Sequence, residues 1–266
     1  MRLISELRHL PEFVKISHSV FALPFALAAL FLGAAGMPRP MTLLLVIGAV
    51  VTARFAAMAF NRIVDRRWDA LNPRTVERHL PARKVSLPTA WMVVIISILL
   101  FIAIAWKINA LAFQLSPVAL LAVLGYSFTK RFTSFSHFFL GAALGIAPLG
   151  AWVAARGELA SPIPWLMGLA VLCWVAGFDI IYALQDEAFD RSQQLHSMVV
   201  RWGTRRALGL VRVLHGAMWM LLVAIGILAH SNRIYFAGVA AILLALIWEQ
   251  WLMREAGNGA ASKGFF

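Results

Sequence analysis

Residues 41–69 read MTLLLVIGAVVTARFAAMAFNRIVDRRWD. Met41 to Phe60 is apolar with one charge, Arg54, and as a helix it is about 30 Å long, the thickness of a bilayer's hydrocarbon core. No apolar/polar alternation runs through it, so a strand is excluded. The next nine residues carry Asn61, Asp65 and Asp69 at every fourth position, one face of the same helix continued. Comparable apolar runs occupy 17–36, 88–106, 109–128, 135–154, 163–185, 208–229 and 233–253. Pro24, Pro117 and Pro148 fall inside them and read as kinks, which membrane helices tolerate. The predicted fold class is all-α: a polytopic membrane protein, a bundle of eight visible transmembrane helices in one domain over 1–266.

Composition agrees. Of 266 residues 61% are hydrophobic and 14% charged, and the mean hydropathy is +0.79, which excludes a soluble domain and a disordered chain. The single cysteine, Cys173, excludes an intrachain disulfide framework. A net charge of +12 fits nucleic acid in principle, but 19 of the 24 Lys and Arg fall on one side of the predicted spans. That asymmetry is the positive-inside pattern and puts the N-terminus and the motif loops in the cytoplasm, with no nucleic-acid partner. The rival reading of residues 1–36 is a cleaved signal peptide, which inverts the charge parity of every later loop.

All five aspartates lie in two short stretches: Asp65 and Asp69, then Asp179, Asp186 and Asp190. Read as helices, Asn61, Asp65 and Asp69 share one face, and Asp179, Tyr182, Asp186 and Asp190 another. One reading is solvated helix ends neutralised by neighbouring arginines. The other is a hard-cation site, since oxygen donors on two helices suit Mg²⁺, which shares its shell with substrate phosphates. Basic residues surround them: Arg66, Arg67, Arg74, Arg78, Arg83, Lys84, Lys130 and Arg131. Acids, Mg²⁺ and these cations together suit a diphosphate leaving group, with Lys130, one turn after Tyr126, the most pointed of them.

Arg54 lies two turns before Asn61, deeper in the membrane on the same face. It either snorkels to the surface or binds a carboxylate below the diphosphate. Asp179 and Tyr182 lie similarly deep, either as packed polar groups or as holders of an aromatic acceptor. The histidines show no closely spaced pair, which argues against a zinc or haem site. Gly141 and Gly145 form a small-residue face for close helix packing.

With these motifs the chain resembles the UbiA superfamily of intramembrane prenyltransferases. Asn61-x3-Asp65-x3-Asp69 resembles its first Asp-rich motif, Asp179-x2-Tyr182-x3-Asp186-x3-Asp190 its second, and Tyr126-x3-Lys130 its tyrosine–lysine motif. Asn72-Pro73-Arg74-Thr75 resembles the loop after the first motif, and His18 to Phe25 the first helix of the 4-hydroxybenzoate branch. The resemblance implies an enzyme of the cell (inner) membrane that joins the chain of a polyprenyl diphosphate to an aromatic acid in quinone biosynthesis. It implies Mg²⁺ on Asn61, Asp65, Asp69, Asp186 and Asp190, with Asp65, Asp186 and Lys130 in catalysis. Lys130, Arg131, Arg67 and Arg74 are then expected on the diphosphate, and Arg54, Tyr126, Asp179 and Tyr182 on the acceptor. Arg54 matches the position of an arginine that contacts the acceptor's carboxylate in that branch. The alternatives are a dihydroxynaphthoate-type acceptor or, in another class, a cation transporter using the intramembrane acids. The family usually has nine membrane helices, so the eight seen imply an absent last helix or a shortened C-terminus.

Overall fold

The computed structural model describes residues 2–14 and 22–255. The order is α1 (Arg2–Phe13), α2 (Leu23–Ala34), α3 (Pro40–Leu71), α4 (Leu87–Ile108), α5 (Ala110–Thr129), α6 (Ser136–Arg156), α7 (Pro162–Ala183), α8 (Glu187–Ser192), α9 (Met198–Trp202), α10 (Thr204–Leu228) and α11 (Arg233–Glu255). Seven helices are long and apolar enough to cross a membrane, and α2 is a shorter apolar helix. Their outer faces are rich in exposed apolar side chains such as Leu99, Trp106, Leu121, Val213 and Leu244. A water-facing surface does not carry apolar area on this scale. The chain is an integral membrane protein.

Three expectations are corrected. The first span, expected at 17–36, is α2, Leu23–Ala34, with residues 15–21 outside the described residues. Pro24 therefore stands in the first turn of α2, where its missing N–H is harmless, and kinks nothing. Pro117 and Pro148 do lie inside their helices. The acidic face does continue the helix of the 41–60 span: α3 runs to Leu71, so membrane span and acidic motif are one rigid rod about 48 Å long. Finally, α1 went unread because its apolar residues form one stripe of a short amphipathic helix and not a membrane-length run. It seats Phe13 and Val14 on Ala59, Ile63, Val85 and Val94, and its Glu6 accepts hydrogen bonds from the backbone N–H and hydroxyl of Ser86, the N-cap of α4.

Helices α6 and α7 approach closely because glycine faces backbone. A Cβ on Gly141 would stand 2.5 Å from the carbonyl oxygen of Leu172, and one on Gly145 2.6 Å from that of Gly168. Without a hydrophobic drive between helices in lipid, such contact is a main source of association. Gly141→Ala must push the two helices apart, at a cost of about 1–3 kcal/mol for overpacking. Its thermal unfolding midpoint in detergent is expected to fall, while Gly216→Ala, where a Cβ meets open space, leaves the midpoint unchanged or slightly raised.

Candidate active site

On α3 the fourfold spacing puts Asn61 beside Asp65, and the Asn61 amide donates to the Asp65 carboxylate at 2.9 Å. Arg131, just beyond α5, faces Asp65 at 3.5 Å, lies over the Trp68 ring at 4.4 Å and donates to the Val64 carbonyl. One turn on, Asp69 is buried, with Arg78 at 2.6 Å and Arg62 at 3.9 Å. The chain then folds back through an Asx turn, in which the Asn72 side-chain oxygen accepts from the Arg74 N–H.

That turn delivers Asn72 and Arg74 to Asp186. The Asn72 amide donates at 3.0 Å, and Arg74 grips both carboxylate oxygens as a fork. The hydrogen bonds to Asp186 hold the Arg74 guanidinium above its ordinary pKa. Asp190, 1% exposed, is paired with Lys130 at 2.8 Å. The His196 N–H also donates to the Lys130 carbonyl, so residues 193–198 are tied to the end of α5.

Beneath this charged rim lies a cavity of 620 Å³ with mostly apolar walls. Along α3 it runs from Asn61 back to Val46, about 22 Å at the helical rise. Its polar lining includes Arg54, Asn61, Arg62, Tyr126, Asp179 and Tyr182. The Arg54 Nε is buried without a hydrogen-bond partner. Trp174, Phe178 and Tyr182 stack up one wall at the spacing of successive helical turns, with ring centroids 6.5 and 5.0 Å apart.

The sequence matches the model of the UbiA prenyltransferase family over residues 22–266. The chain belongs to that family. It is a membrane prenyltransferase. The 4-hydroxybenzoate octaprenyltransferase of Nitrosospira multiformis is 32% identical over 237 residues, covering 89% of this chain and 81% of that protein. That of Alkalilimnicola ehrlichii is 31% identical over 226 residues, covering 85% and 76%. The apo structure of a UbiA homolog from Aeropyrum pernix K1 superposes with a TM-score of 0.84 at 37% identity, covering 90% of each chain. A UbiA homolog from Archaeoglobus fulgidus bound to DMAPP and Mg²⁺ shares the fold, with a TM-score of 0.74 at 18% identity over 94% of this chain and 88% of that one.

Within this UbiA fold, three site expectations need correcting. Arg67 is exposed and stands outside the ion pairs of the rim, where Arg62 and Arg78 act instead. It lies two residues from both Asp65 and Asp69, about 200° around the helix, so it faces away from them. The face expected to run from Asp179 through Asp190 is broken. Helix α7 ends at Ala183 and a 3₁₀ turn, Leu184–Asp186, precedes α8. The tighter winding of the turn carries Asp186 toward Arg74 and Asp190 toward Lys130. The histidines are not all scattered in space, since His9, Glu12 and His79 bring donor atoms within 4.8 Å of one another. Burial lowers the His79 pKa, against the pull of Glu12.

Three residues of the site were not singled out in advance, the first being Arg62, which lines the cavity and stands 3.9 Å from Asp69. Asn72 appeared only as part of the loop, not as a ligand of Asp186, and His137 was passed over; it pairs with Asp179 at 2.6 Å. Neither of these last two pairings follows a local spacing, so no periodicity could have signalled them. Arg78→Ala leaves Asp69 buried with only the distant Arg62, and the loss of one charged hydrogen bond is worth roughly 1.5–3 kcal/mol. A lower unfolding midpoint is expected in metal-free detergent, partly recovered when Asp69→Asn is added, by thermal-shift measurement.

Proposed function

We propose that this prenyltransferase moves a polyprenyl group from its diphosphate onto a hydroxybenzoate-type aromatic acid, 4-hydroxybenzoate first, as the relatives' names suggest. The observation that carries the acceptor class is Arg54, a cation inside an apolar cavity whose Nε has no hydrogen-bond partner. A buried guanidinium of that kind calls for an anion, and a planar carboxylate matches its fork. Arg54 stands seven residues below Asn61 on one helix, about 10 Å deeper, so the acceptor would lie beneath the leaving group.

The rim would hold the diphosphate. Lys130, Arg131 and Arg74 supply the cations, each already turned toward a motif acid. Asn61, Asp65, Asp69, Asp186 and Asp190 would hold Mg²⁺. The donors are all oxygen, and Asp69 Oδ2 and Asp190 Oδ1 are buried without a hydrogen-bond partner, which suits a hard cation. Bound there, Mg²⁺ supplies charge that stabilises the departing diphosphate.

The bond between the allylic carbon and diphosphate oxygen breaks, its electron pair leaving with the diphosphate toward Lys130 and Arg131. The allylic cation passes the ring faces of Phe178 and Tyr182, which attract positive charge. A π pair of the acceptor ring, activated by its hydroxyl, forms the new carbon–carbon bond, and the ring carbon then gives its proton to the freed diphosphate, which restores the aromatic ring. The isoprenoid tail would follow the apolar length of the cavity. Leu115 and Val118 of α5 line that cavity and are exposed, so a long tail would leave beside them. The excess of basic residues beside the rim supports a cytoplasmic orientation of the motif loops at the cell (inner) membrane.

The test uses purified protein, labelled polyprenyl diphosphates and a panel of aromatic acids and phenols, with EDTA or Mg²⁺. Arg54→Ala is expected to raise the acceptor KM about tenfold or more, as for a lost charged hydrogen bond, and to leave the prenyl diphosphate KM intact. A phenol without a carboxylate should barely distinguish the variant from wild type. Asp65→Asn and Asp186→Asn should each abolish turnover while the protein still inserts. Loss of diphosphate affinity with unchanged acceptor preference in Arg54→Ala would overturn the acceptor assignment, and full activity in EDTA would overturn the metal.

A further inference from the structure

His137 stands in the first turn of α6, its side chain 3% exposed, between two other elements. Its Nε2 accepts a hydrogen bond from the N–H of Met198, the first residue of α9, at 3.3 Å. Its Nδ1 lies 2.6 Å from Asp179 Oδ2 on α7. A backbone N–H can only donate, so Nε2 must be the bare nitrogen of the ring and the imidazole proton must sit on Nδ1. The direction of the short contact is thereby set: the imidazole donates and the carboxylate accepts. A further proton on Nε2 would set one N–H against another and strand the Met198 amide at a helix start, where such groups need acceptors.

This arrangement has a consequence for the cavity. Asp179 lines it together with Arg54, Tyr126 and Tyr182 and is 35% exposed at its side chain. With Oδ2 held by His137, Oδ1 is the oxygen left for a ligand. An ionised carboxylate only accepts hydrogen bonds, so it repels the acid end of an aromatic acceptor and suits a donor. A hydroxy acid offers one at its other end. Arg54 and Asp179 are thus a cation and an anion in one apolar chamber, chemically matched to the carboxylate and the hydroxyl of a single ring.

We propose that His137 is a positioning residue that locks the Asp179 carboxylate to receive the acceptor's hydroxyl, so that acceptor selection depends on this dyad as well as on Arg54. The role rests on the acceptor assignment made above. It acts through orientation: a hydroxyl donating to a fixed carboxylate pins the ring and enriches the ring carbon that meets the allylic cation. Without His137, Asp179 is free to rotate toward other donors, and the hydroxyl loses its fixed partner.

The decisive pair of variants is His137→Asn and His137→Gln. The Asn amide can put an N–H where Nδ1 stands; the Gln amide reaches the Nε2 position and supplies no donor to Asp179. His137→Gln and His137→Leu are expected to raise the acceptor KM about tenfold with the prenyl diphosphate KM unchanged, and His137→Asn to bring it back to within about threefold of wild type. In an Asp179→Ala background, His137→Leu should add nothing further to the acceptor KM. Inhibition by benzoate, which has the acid but no hydroxyl, should be equal in wild type and His137→Gln. Equal damage by Asn and Gln, or an additive effect on Asp179→Ala, would overturn the proposal and make His137 a packing residue. If Arg54→Ala raises the acceptor KM while His137→Gln does not, the positioning role falls and the acceptor assignment stands. If neither Arg54→Ala nor Asp179→Ala moves the acceptor KM, the acceptor assignment falls and the dyad's role with it.

Discussion

Burying carboxylates at the edge of a low-dielectric slab is costly unless each meets a cation, and that constraint organises the end of the molecule that carries the two acidic motifs. Asp190, nearly fully enclosed, has Lys130; Asp69 has Arg78 and, farther off, Arg62; Asp65 has Arg131; Asp186 has Arg74. In three of these cases the main partner comes from a segment far along the chain. The pairs therefore join α3 to the turn after α5, the turn after α5 to α8, and the loop after α3 to the 3₁₀ turn. The same charges that close the rim are the ones a diphosphate and its metal would engage, so holding the rim together and binding substrate draw on one set of residues.

The depth of the chamber follows from a single rod. Because α3 continues without a break from Pro40 to Leu71, Arg54 and the Asn61–Asp69 face are held at a fixed separation by the helical rise. A kink between them would let the proposed acceptor and leaving-group sites drift. The opposite wall, α7, is pressed against α6 by glycine-to-backbone contact, and this closeness brings His137 on α6 within hydrogen-bond reach of Asp179 on α7. Packing that first reads as stability is thus also what sets the orientation of a polar group in the cavity.

UbiA membership accounts for the order of the motifs along the chain, while the proposed acceptor would be chosen by a few polar groups in a cavity that is otherwise apolar. Shape contributes little to that choice, since an apolar wall discriminates weakly between rings of similar size. On the proposed reading the discriminating groups would be Arg54 and Asp179, the second held by His137, which lies outside the cavity lining.

Much was legible in residues 41–69 alone, because hydrophobic length and fourfold spacing are local properties that a helix translates directly into membrane span and shared face. Arg54, Asn61, Asp65 and Asp69 could be placed relative to one another before any tertiary contact was known. Where the helix stops being regular, that translation fails: the 3₁₀ turn at Leu184–Asp186 breaks a face that spacing had drawn as continuous. Partners distant in sequence were hidden for a different reason. The pairing of Arg78 with Asp69, of Asn72 and Arg74 with Asp186, and of His137 with Asp179 depends on which loops and helices meet. Composition and periodicity carry no term for that. Local repeat determined most of the spans, the acidic face of α3 and the depth of Arg54; only the packing of α6 on α7 and the folding-back of residues 72–78 decided which side chains those groups would hold.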